Sequence, residues 1–204
     1  MINLLPLLDW KHVSGVENFP NTFFTNHFDY SWDLQKICEN PSVSSENLLK
    51  VAKSGRLEDH ESNACLEKMS LNPSISLNDI VANPGIRWNW HAVSSREDLQ
   101  LSFVLKHDKL PWNWNRISAN KNITWEMVEK NPDLPWCWFW LSDNPNITSE
   151  IVLSNLDKPW DFTFLSWNRT ITKKTIESAP DKPWNWEILS KNSSFVCSLL
   201  SPRR

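Results

Sequence analysis

The C-terminal half of the chain repeats one pattern of apolar and polar positions every 24 residues. Within each repeat the apolar residues lie three and four positions apart rather than alternating, which favours short helices over strands. Two aromatic columns, two residues apart, mark each repeat. They are Trp88, Trp90, Trp112, Trp114, Trp136, Trp138, Trp160, Phe162, Trp184 and Trp186. Self-similarity in so many columns predicts a tandem-repeat protein.

Each repeat is interpreted as two short helices. In residues 133–155, Asp133 is expected to cap the first helix, with Pro135 in its first turn. Asn144 is expected to stop that helix in a left-handed conformation, and Thr148 to cap a second helix that ends at Asn155. The predicted fold is therefore all-α, an α-solenoid-like, right-handed stack of short helix-turn-helix repeats.

The regularity of the repeats divides the chain into three parts. Residues 88–204 hold the regular repeats and a C-terminal cap. Residues 32–87 hold degenerate copies with an insertion, because Asn40 and Asn72 are 32 residues apart instead of 24. Residues 1–31 fit no clean copy and are expected to form an N-terminal cap or an irregular segment, as terminal repeats are often atypical.

The column tryptophans are expected to hold the stack together. Helices of about two turns are unstable alone, so successive repeats must bury their large aromatic side chains against each other. Trp114, Trp138 and Trp186 are expected to be buried between adjacent repeats, and Trp138→Ala to cost about 3–5 kcal/mol. The alternative is a ladder of exposed platforms for bases or sugars, which would need cationic side chains beside the rings.

Composition narrows the environment and the partners. The formal net charge is −3, the pI is near 6.0 and no basic stripe is visible, so no nucleic-acid partner is expected. No apolar run approaches membrane-spanning length and the start lacks a signal peptide, so a cytoplasmic protein without membrane contact is expected. The four cysteines are far apart and are expected to be free, mostly buried thiols: Cys38, Cys65, Cys137 and Cys197.

The repeat resembles a tryptophan-rich, 24-residue tandem repeat of large nucleocytoplasmic DNA viruses of amoebae and algae. Residues 157–162 (DKPWDF) and 144–148 (NPNIT) carry the resemblance most closely. It covers residues 88–204 well and 32–87 loosely. Phe162 in place of tryptophan and Lys174 near the usual glutamate are departures. The resemblance implies a viral protein, located in the host cytoplasm or the virion, and implies no particular activity.

Catalytic signatures are lacking in the sequence. The serines and glutamates that recur with the repeat are interpreted as structural, and no metal-ligand, nucleophile or phosphate-binding motif is found. The densest polar cluster, residues 58–61 (EDHE), is expected to be a solvated loop, with a metal site as the alternative. No catalytic, cofactor-binding or metal site is therefore predicted, and no cofactor. An enzyme with a site in the irregular N-terminal part is a remote alternative.

Residues outside the columns are candidates for recognition. Trp125 and Trp167 replace small or charged residues of other repeats and are expected to be exposed, whereas Trp140 aligns with apolar residues and fits a core position. With nearby basic residues they form a candidate partner-binding face: Trp125, Trp167, Arg169, Lys121 and Lys173. The alternative is that both indoles pack laterally on the stack. The predicted function is a non-enzymatic scaffold for protein–protein interaction, with self-assembly or a structural role in a virion as alternatives.

Overall fold

The computed structural model describes residues 7–57 and 59–200, with the backbone alone at residues 59–61, and every regular element in this range is an α-helix. In chain order the helices are α1 (Trp10–Val13), α2 (Asn21–Asn26), α3 (Leu34–Glu39), α4 (Ser45–Lys53), α5 (Asp59–Leu71), α6 (Leu77–Ala82), α7 (Trp90–Ser94), α8 (Leu101–Lys106), α9 (Trp114–Ala119), α10 (Trp125–Lys130), α11 (Trp138–Asp143), α12 (Ser149–Ser154), α13 (Phe162–Trp167), α14 (Lys173–Ser178), α15 (Trp186–Leu189) and α16 (Ser193–Leu200). The prediction of an all-α fold is confirmed.

The chain forms two compact units, which divide between Val93 and Ser94. In the C-terminal unit the first helices of successive repeats, α9, α11, α13 and α15, pack side by side, and α14 packs between α12 and α16. In the N-terminal unit α3 packs on α5, and α2 and α3 pack on α4. Each unit is a stack of short helices.

The residue between the two aromatic columns starts each first helix. The side chains of Asn113, Asp161 and Asn185 accept a hydrogen bond from the backbone N–H three residues later at 3.0–3.1 Å. The expectation that Asp133 caps α11 with Pro135 in its first turn is wrong, since α11 begins only at Trp138. The predicted cap at Thr148 and the end at Asn155 are confirmed.

The first tryptophan column lies in the core and also ends the preceding helix. Trp88, Trp112, Trp136, Trp160 and Trp184 are all buried. Each indole N–H donates to the carbonyl five residues earlier at 2.7–3.1 Å, which is the carbonyl of the residue that caps the second helix of the preceding repeat. The indole therefore satisfies a backbone oxygen that a six-residue helix leaves unpaired.

The second column covers the first column of the next repeat. Trp114, Trp138 and Phe162 lie edge-on against Trp136, Trp160 and Trp184, with ring centroids 4.9–5.3 Å apart. Phe162 is buried, but Trp114 and Trp138 are only half-buried and Trp186 is 62% exposed. The expectation of full burial is therefore wrong for Trp114, Trp138 and Trp186. These rings lie on the rim of the contact, and no first-column tryptophan covers Trp186 in the described residues.

A ladder of buried asparagine amides joins successive repeats. The Nδ2 of Asn144 donates to the carbonyls of Ser118 and Asn120 in the preceding repeat at 2.8 and 3.0 Å, while its Oδ1 accepts from the N–H of Asn146. The same pattern recurs at Asn40, Asn72, Asn168 and Asn192, and Asn120 donates to the carbonyl of Arg96. Asn144 has φ −66° and ψ 130°, so the expected left-handed stop is wrong.

The repeat serine makes a second bond across each junction. The Oγ of Ser142 donates to the carbonyl of Trp138 within its own helix and accepts the N–H of Asp161, 19 residues later. Equivalent acceptor bonds are made by Ser14, Ser70, Ser94, Ser118 and Ser166. The interpretation of these serines as structural is supported by this pairing.

The start of the chain follows the same repeat. Ser14 accepts the N–H of Asp33, and its carbonyl accepts from Asn40, so α1 and α2 occupy the positions of a first and a second helix. Residues 10–26 therefore resemble a degenerate repeat, and the expectation of an N-terminal cap at residues 1–31 stays a prediction. Sequence comparison missed the copy because Leu8 stands in the tryptophan column and Val16 in the asparagine column.

A disulfide replaces the serine bond at the junction that contains the insertion. Cys38 occupies the serine column and is joined to Cys65, with Cα atoms 5.5 Å apart. Their separation of 27 residues is the usual 19 plus the eight inserted residues. Cys65 lies inside the long helix α5, so the junction lacks the helix N-terminus whose N–H the serine would bind. The expectation of free thiols is wrong for this pair, whereas Cys137 and Cys197 carry thiols.

One rung of the ladder is an arginine instead of an asparagine. Arg96 is buried, and its Nε and one Nη donate to the two carboxylate oxygens of Asp98 at 2.8 Å each. Hydrogen bonding from Arg96 holds the pKa of Asp98 below its usual value, more than offsetting the partial burial of the carboxyl. The carbonyl of Arg96 still accepts from Asn120, so the ladder continues through the backbone.

We expect Asn144→Ala to lower the free energy of unfolding by about 2–4 kcal/mol, because two buried carbonyls and one N–H lose their partner. Asn144→Asp should cost at least as much, since it places a carboxylate oxygen against those carbonyls. Asn115→Ala, on the exposed side of α9, is the control and should stay within about 0.5 kcal/mol of wild type. Urea denaturation followed by circular dichroism measures all three, and equal stability of Asn144→Ala and wild type would contradict the ladder.

We expect Trp138→Ala to cost about 3 kcal/mol, the low end for a large aromatic truncation, because the ring is only half-buried yet packs on Trp160. Trp186→Ala should cost less than about 1 kcal/mol because most of its ring is in solvent. The two variants form a matched pair from one column, and denaturant midpoints give the comparison. Equal losses would mean that edge-on contact between repeats contributes little.

Alkylation of the unfolded, unreduced protein should modify two thiols, Cys137 and Cys197, and alkylation after reduction should modify four. Intact mass spectrometry counts the adducts, and peptide mapping locates them. Four adducts without reduction would show that Cys38 and Cys65 are not bonded.

Candidate interaction surface

The outer face of the first helices carries different side chains from repeat to repeat in the C-terminal unit. The fourth and fifth residues of α9, α11 and α13, such as Leu141 and Ser142, are turned into the stack. The second, third and sixth residues are exposed or half-buried and form this outer face. They are Asn115, Arg116 and Ala119 on α9, Phe139, Trp140 and Asp143 on α11, Thr163, Phe164 and Trp167 on α13, and Glu187 and Ile188 on α15, with Lys191 just after that helix.

Aromatic side chains concentrate on the two central helices of this face. The Phe139 and Phe164 ring centroids are 3.6 Å apart, and the Trp140 ring lies 5.2 Å from Phe139 and 6.2 Å from Phe164. Phe139 is 38% exposed and Trp167 is 47% exposed. We call these four residues, Phe139, Trp140, Phe164 and Trp167, the aromatic shelf.

Trp167 forms one wall of a groove beside the shelf. The groove has a volume of about 250 Å³ and is lined by Asp143, Pro145, Trp167, Arg169 and Thr170, with Asn168 at its base. It lies where the turns of two successive repeats meet, because Asp143 and Pro145 belong to one repeat and Trp167 and Arg169 to the next. The ladder bonds of Asn168 fix the relative position of these turns.

The charges around the shelf are of both signs. The Arg116 guanidinium lies over the Trp140 ring, 5.6 Å from its centroid, an arrangement that cation–π attraction favours. Partial burial raises the pKa of the Asp143 carboxyl above its usual value. Asp143 and Arg169 line the same groove, yet within residues 7–57 and 59–200 neither makes an ion pair within 4.0 Å.

The residues of the predicted partner-binding face have different surroundings in the structure. Trp125 is half-buried, with its ring 5.5 Å from Trp160 and 6.4 Å from Trp138, so it packs laterally on the stack. Lys121 pairs with Glu97 at 2.8 Å, and Lys173 lies 3.8 Å from Glu177. Trp167 and Arg169 line one cavity.

Sequence reasoning missed two members of the shelf and misplaced a third. Phe139 aligns with Asn115, Thr163 and Glu187, an aromatic among polar residues, which is the same signal that singled out Trp167. Trp140 was assigned to the core because it aligns with Phe164 and Ile188, but the whole column is half-buried on the outer face.

An equivalent groove in the N-terminal unit shows which features belong to the repeat itself. It has a volume of about 310 Å³ and is lined by Gly15, Glu17, Glu39, Pro41 and Ser42, with Lys36 and Asn40. Gly15 and Glu39 occupy the positions of Asp143 and Trp167. The groove is therefore a product of the repeat geometry, and only the side chains make the groove beside Trp167 aromatic.

Candidate metal ligands do not cluster in the described residues. No group of three or more His, Cys, Asp or Glu residues within residues 7–57 and 59–200 is placed to hold a metal ion. The cluster at residues 58–61 was expected to be a solvated loop, which is wrong for residues 59–61 because their backbone belongs to α5; the side chains of the cluster lie outside the described residues. In the same part of the chain, no helix combines the length and hydrophobicity needed to cross a bilayer.

Comparisons with protein-family models, with curated proteins and with solved structures give no significant match.

We expect the double variant Phe139→Thr with Trp167→Ala to fold normally and to lose less than about 2 kcal/mol of stability, since both side chains are substantially exposed. The new residues are those of other repeats at the same positions, Thr163 and Ala119. Circular dichroism and denaturant titration test this. A loss matching that of Trp138→Ala would mean that the shelf is part of the core.

Proposed function

We propose that this chain is a non-enzymatic repeat scaffold for protein–protein interaction and that the aromatic shelf is its contact surface. The observation that carries the proposal is an aromatic cluster on the outer face in which Phe139 and Trp167 are exposed, at positions where other repeats of the same chain have Asn, Thr, Glu, Ala, Asp or Lys. Exposed aromatic clusters flanked by arginine are typical of the centres of protein interfaces.

The location of the shelf supports the same function. The side chains project from α11 and α13, which the ladder and the aromatic columns hold from behind. A contact surface on such helices loses little conformational freedom on binding, which favours affinity. Lys121 and Lys173 are not part of the shelf and form ion pairs with Glu97 and Glu177. Trp125 packs on the stack.

The resemblance of the repeat to those of large DNA viruses supports a viral protein that acts in the host cytoplasm. The alternative is a structural component of the virion. The two differ in abundance, because a structural component would be stoichiometric in purified particles. The acidic net charge argues against a nucleic-acid partner.

Affinity capture with three matched proteins tests the proposed surface. Wild type, the double variant Phe139→Thr with Trp167→Ala, and the control Leu105→Glu are tagged and used to capture cross-linked partners from native or infected cells. Leu105 is 42% exposed on α8, and its counterpart in the next repeat is Glu129, so the control removes exposed apolar area away from the shelf.

A specific partner should be retained by wild type and by Leu105→Glu and lost by the double variant. With purified partner, the dissociation constant should rise by at least about 30-fold, which corresponds to ~2 kcal/mol for loss of a central contact. Equal retention by all three proteins would exclude the shelf as the contact surface.

A further inference from the structure

We propose that the partner that fits this surface is a second copy of the chain, packed shelf against shelf about a twofold axis, with Asp143 of each copy paired with Arg169 of the other. The proposal rests on the proposed function, since it takes the aromatic shelf as the contact surface and names what covers it.

The two opposite charges beside Trp167 favour a second copy of the chain as the partner. Asp143 and Arg169 line one groove, have opposite signs and make no ion pair within the described residues. An acidic segment would pair with Arg169 but face the Asp143 carboxylate, and a basic segment would do the reverse. Like charges brought together in an interface disfavour binding. The partner must therefore present both signs at matching positions.

A twofold contact meets this requirement without any new residue. In an isologous interface each residue meets its counterpart across the axis, so that if Asp143 meets Arg169 of the second copy, Arg169 meets Asp143 of that copy as well. A single relative placement of the two copies therefore forms two ion pairs between Asp143 and Arg169. Pairing also offsets the partial burial that raises the pKa of the Asp143 carboxyl in the single chain.

The aromatic shelf supplies the apolar centre of the contact. Phe139 and Phe164 lie side by side, and Trp167 borders the groove that holds the two charges. Aromatic residues and arginine are enriched at the centre of protein interfaces, and homodimer interfaces are more apolar than others. The shelf occupies part of two six-residue helices, and we expect it to bury less than the ~800 Å² per partner of a standard interface. The dimer should therefore be weak, with a dissociation constant on the order of micromolar.

Sedimentation velocity from about 1 to 200 µM, the range around a micromolar dissociation constant, tests the dimer. All proteins carry Cys197→Ser, so that this exposed thiol cannot link two copies. The mass should rise with concentration from 23.9 kDa towards twice that value for the otherwise unchanged chain and for Leu105→Glu. The double variant Phe139→Thr with Trp167→Ala should stay monomeric at every concentration.

Charge exchange tests the pairing itself. Asp143→Arg alone and Arg169→Asp alone should each weaken the dimer by more than about tenfold, because each places like charges opposite one another. An equimolar mixture of these two single variants should form a heterodimer, since both cross-pairs then have opposite signs. The double exchange Asp143→Arg with Arg169→Asp should also restore dimerisation, and rescue in the mixture shows that the single variants remain folded.

Each contrary result overturns the proposal in a recognisable way. A chain that stays monomeric up to 200 µM has no such dimer, and the proposed function still stands if partner capture depends on the shelf. A dimer that persists in the double aromatic variant uses another surface. A dimer unaffected by the single charge changes, or a mixture that fails to associate, excludes the pairing of Asp143 with Arg169.

Discussion

Hydrogen bonding of backbone carbonyls between repeats is the constraint on which this structure depends. Most helices here have only four to six residues, so nearly all of their backbone groups lack a partner within the helix. The buried asparagine amide solves this problem across the junction, as Asn144 does when it donates to Ser118 and Asn120 and accepts from Asn146. No buried side-chain polar atom in the described residues is left without a partner.

The first-column tryptophans and the repeat serines also form hydrogen bonds with backbone groups that lack a partner within their own helix. The Trp160 indole fills the core, donates to the last carbonyl of the preceding second helix and receives the edge of Trp138. Where the serine or the asparagine of the repeat is replaced, the new residue forms another bond at the same position. The Cys38–Cys65 disulfide takes the place of the serine bond at the insertion, and Arg96 passes the ladder on through its carbonyl.

Because the junction positions stabilise the stack, the side chains on the outer face of the first helices can differ from repeat to repeat. Positions that make the junction are held to asparagine, serine and tryptophan, whereas the outer positions range from Asn115 to Phe139 to Glu187. We expect aromatic residues there to add little to the stack, and we propose that the shelf on α11 and α13 makes a contact outside the repeat. In this proposal, Asp143 and Arg169 determine the orientation of the partner, since neither makes an ion pair in the described residues.

The sequence by itself determined the helical class, the repeat period and the capping at Thr148, because these follow from local spacing and from the chemistry of single residues. Tertiary structure decided the rest. Only the junction geometry shows that Asn144 faces the carbonyls of the preceding repeat instead of ending a helix, that Cys38 meets Cys65, and that Trp125 is covered by Trp160 while Phe139 is not. The reason is physical: a repeat pattern records that a position is constrained, but the partner that constrains it lies 19 to 35 residues away, and packing decides which partner it meets.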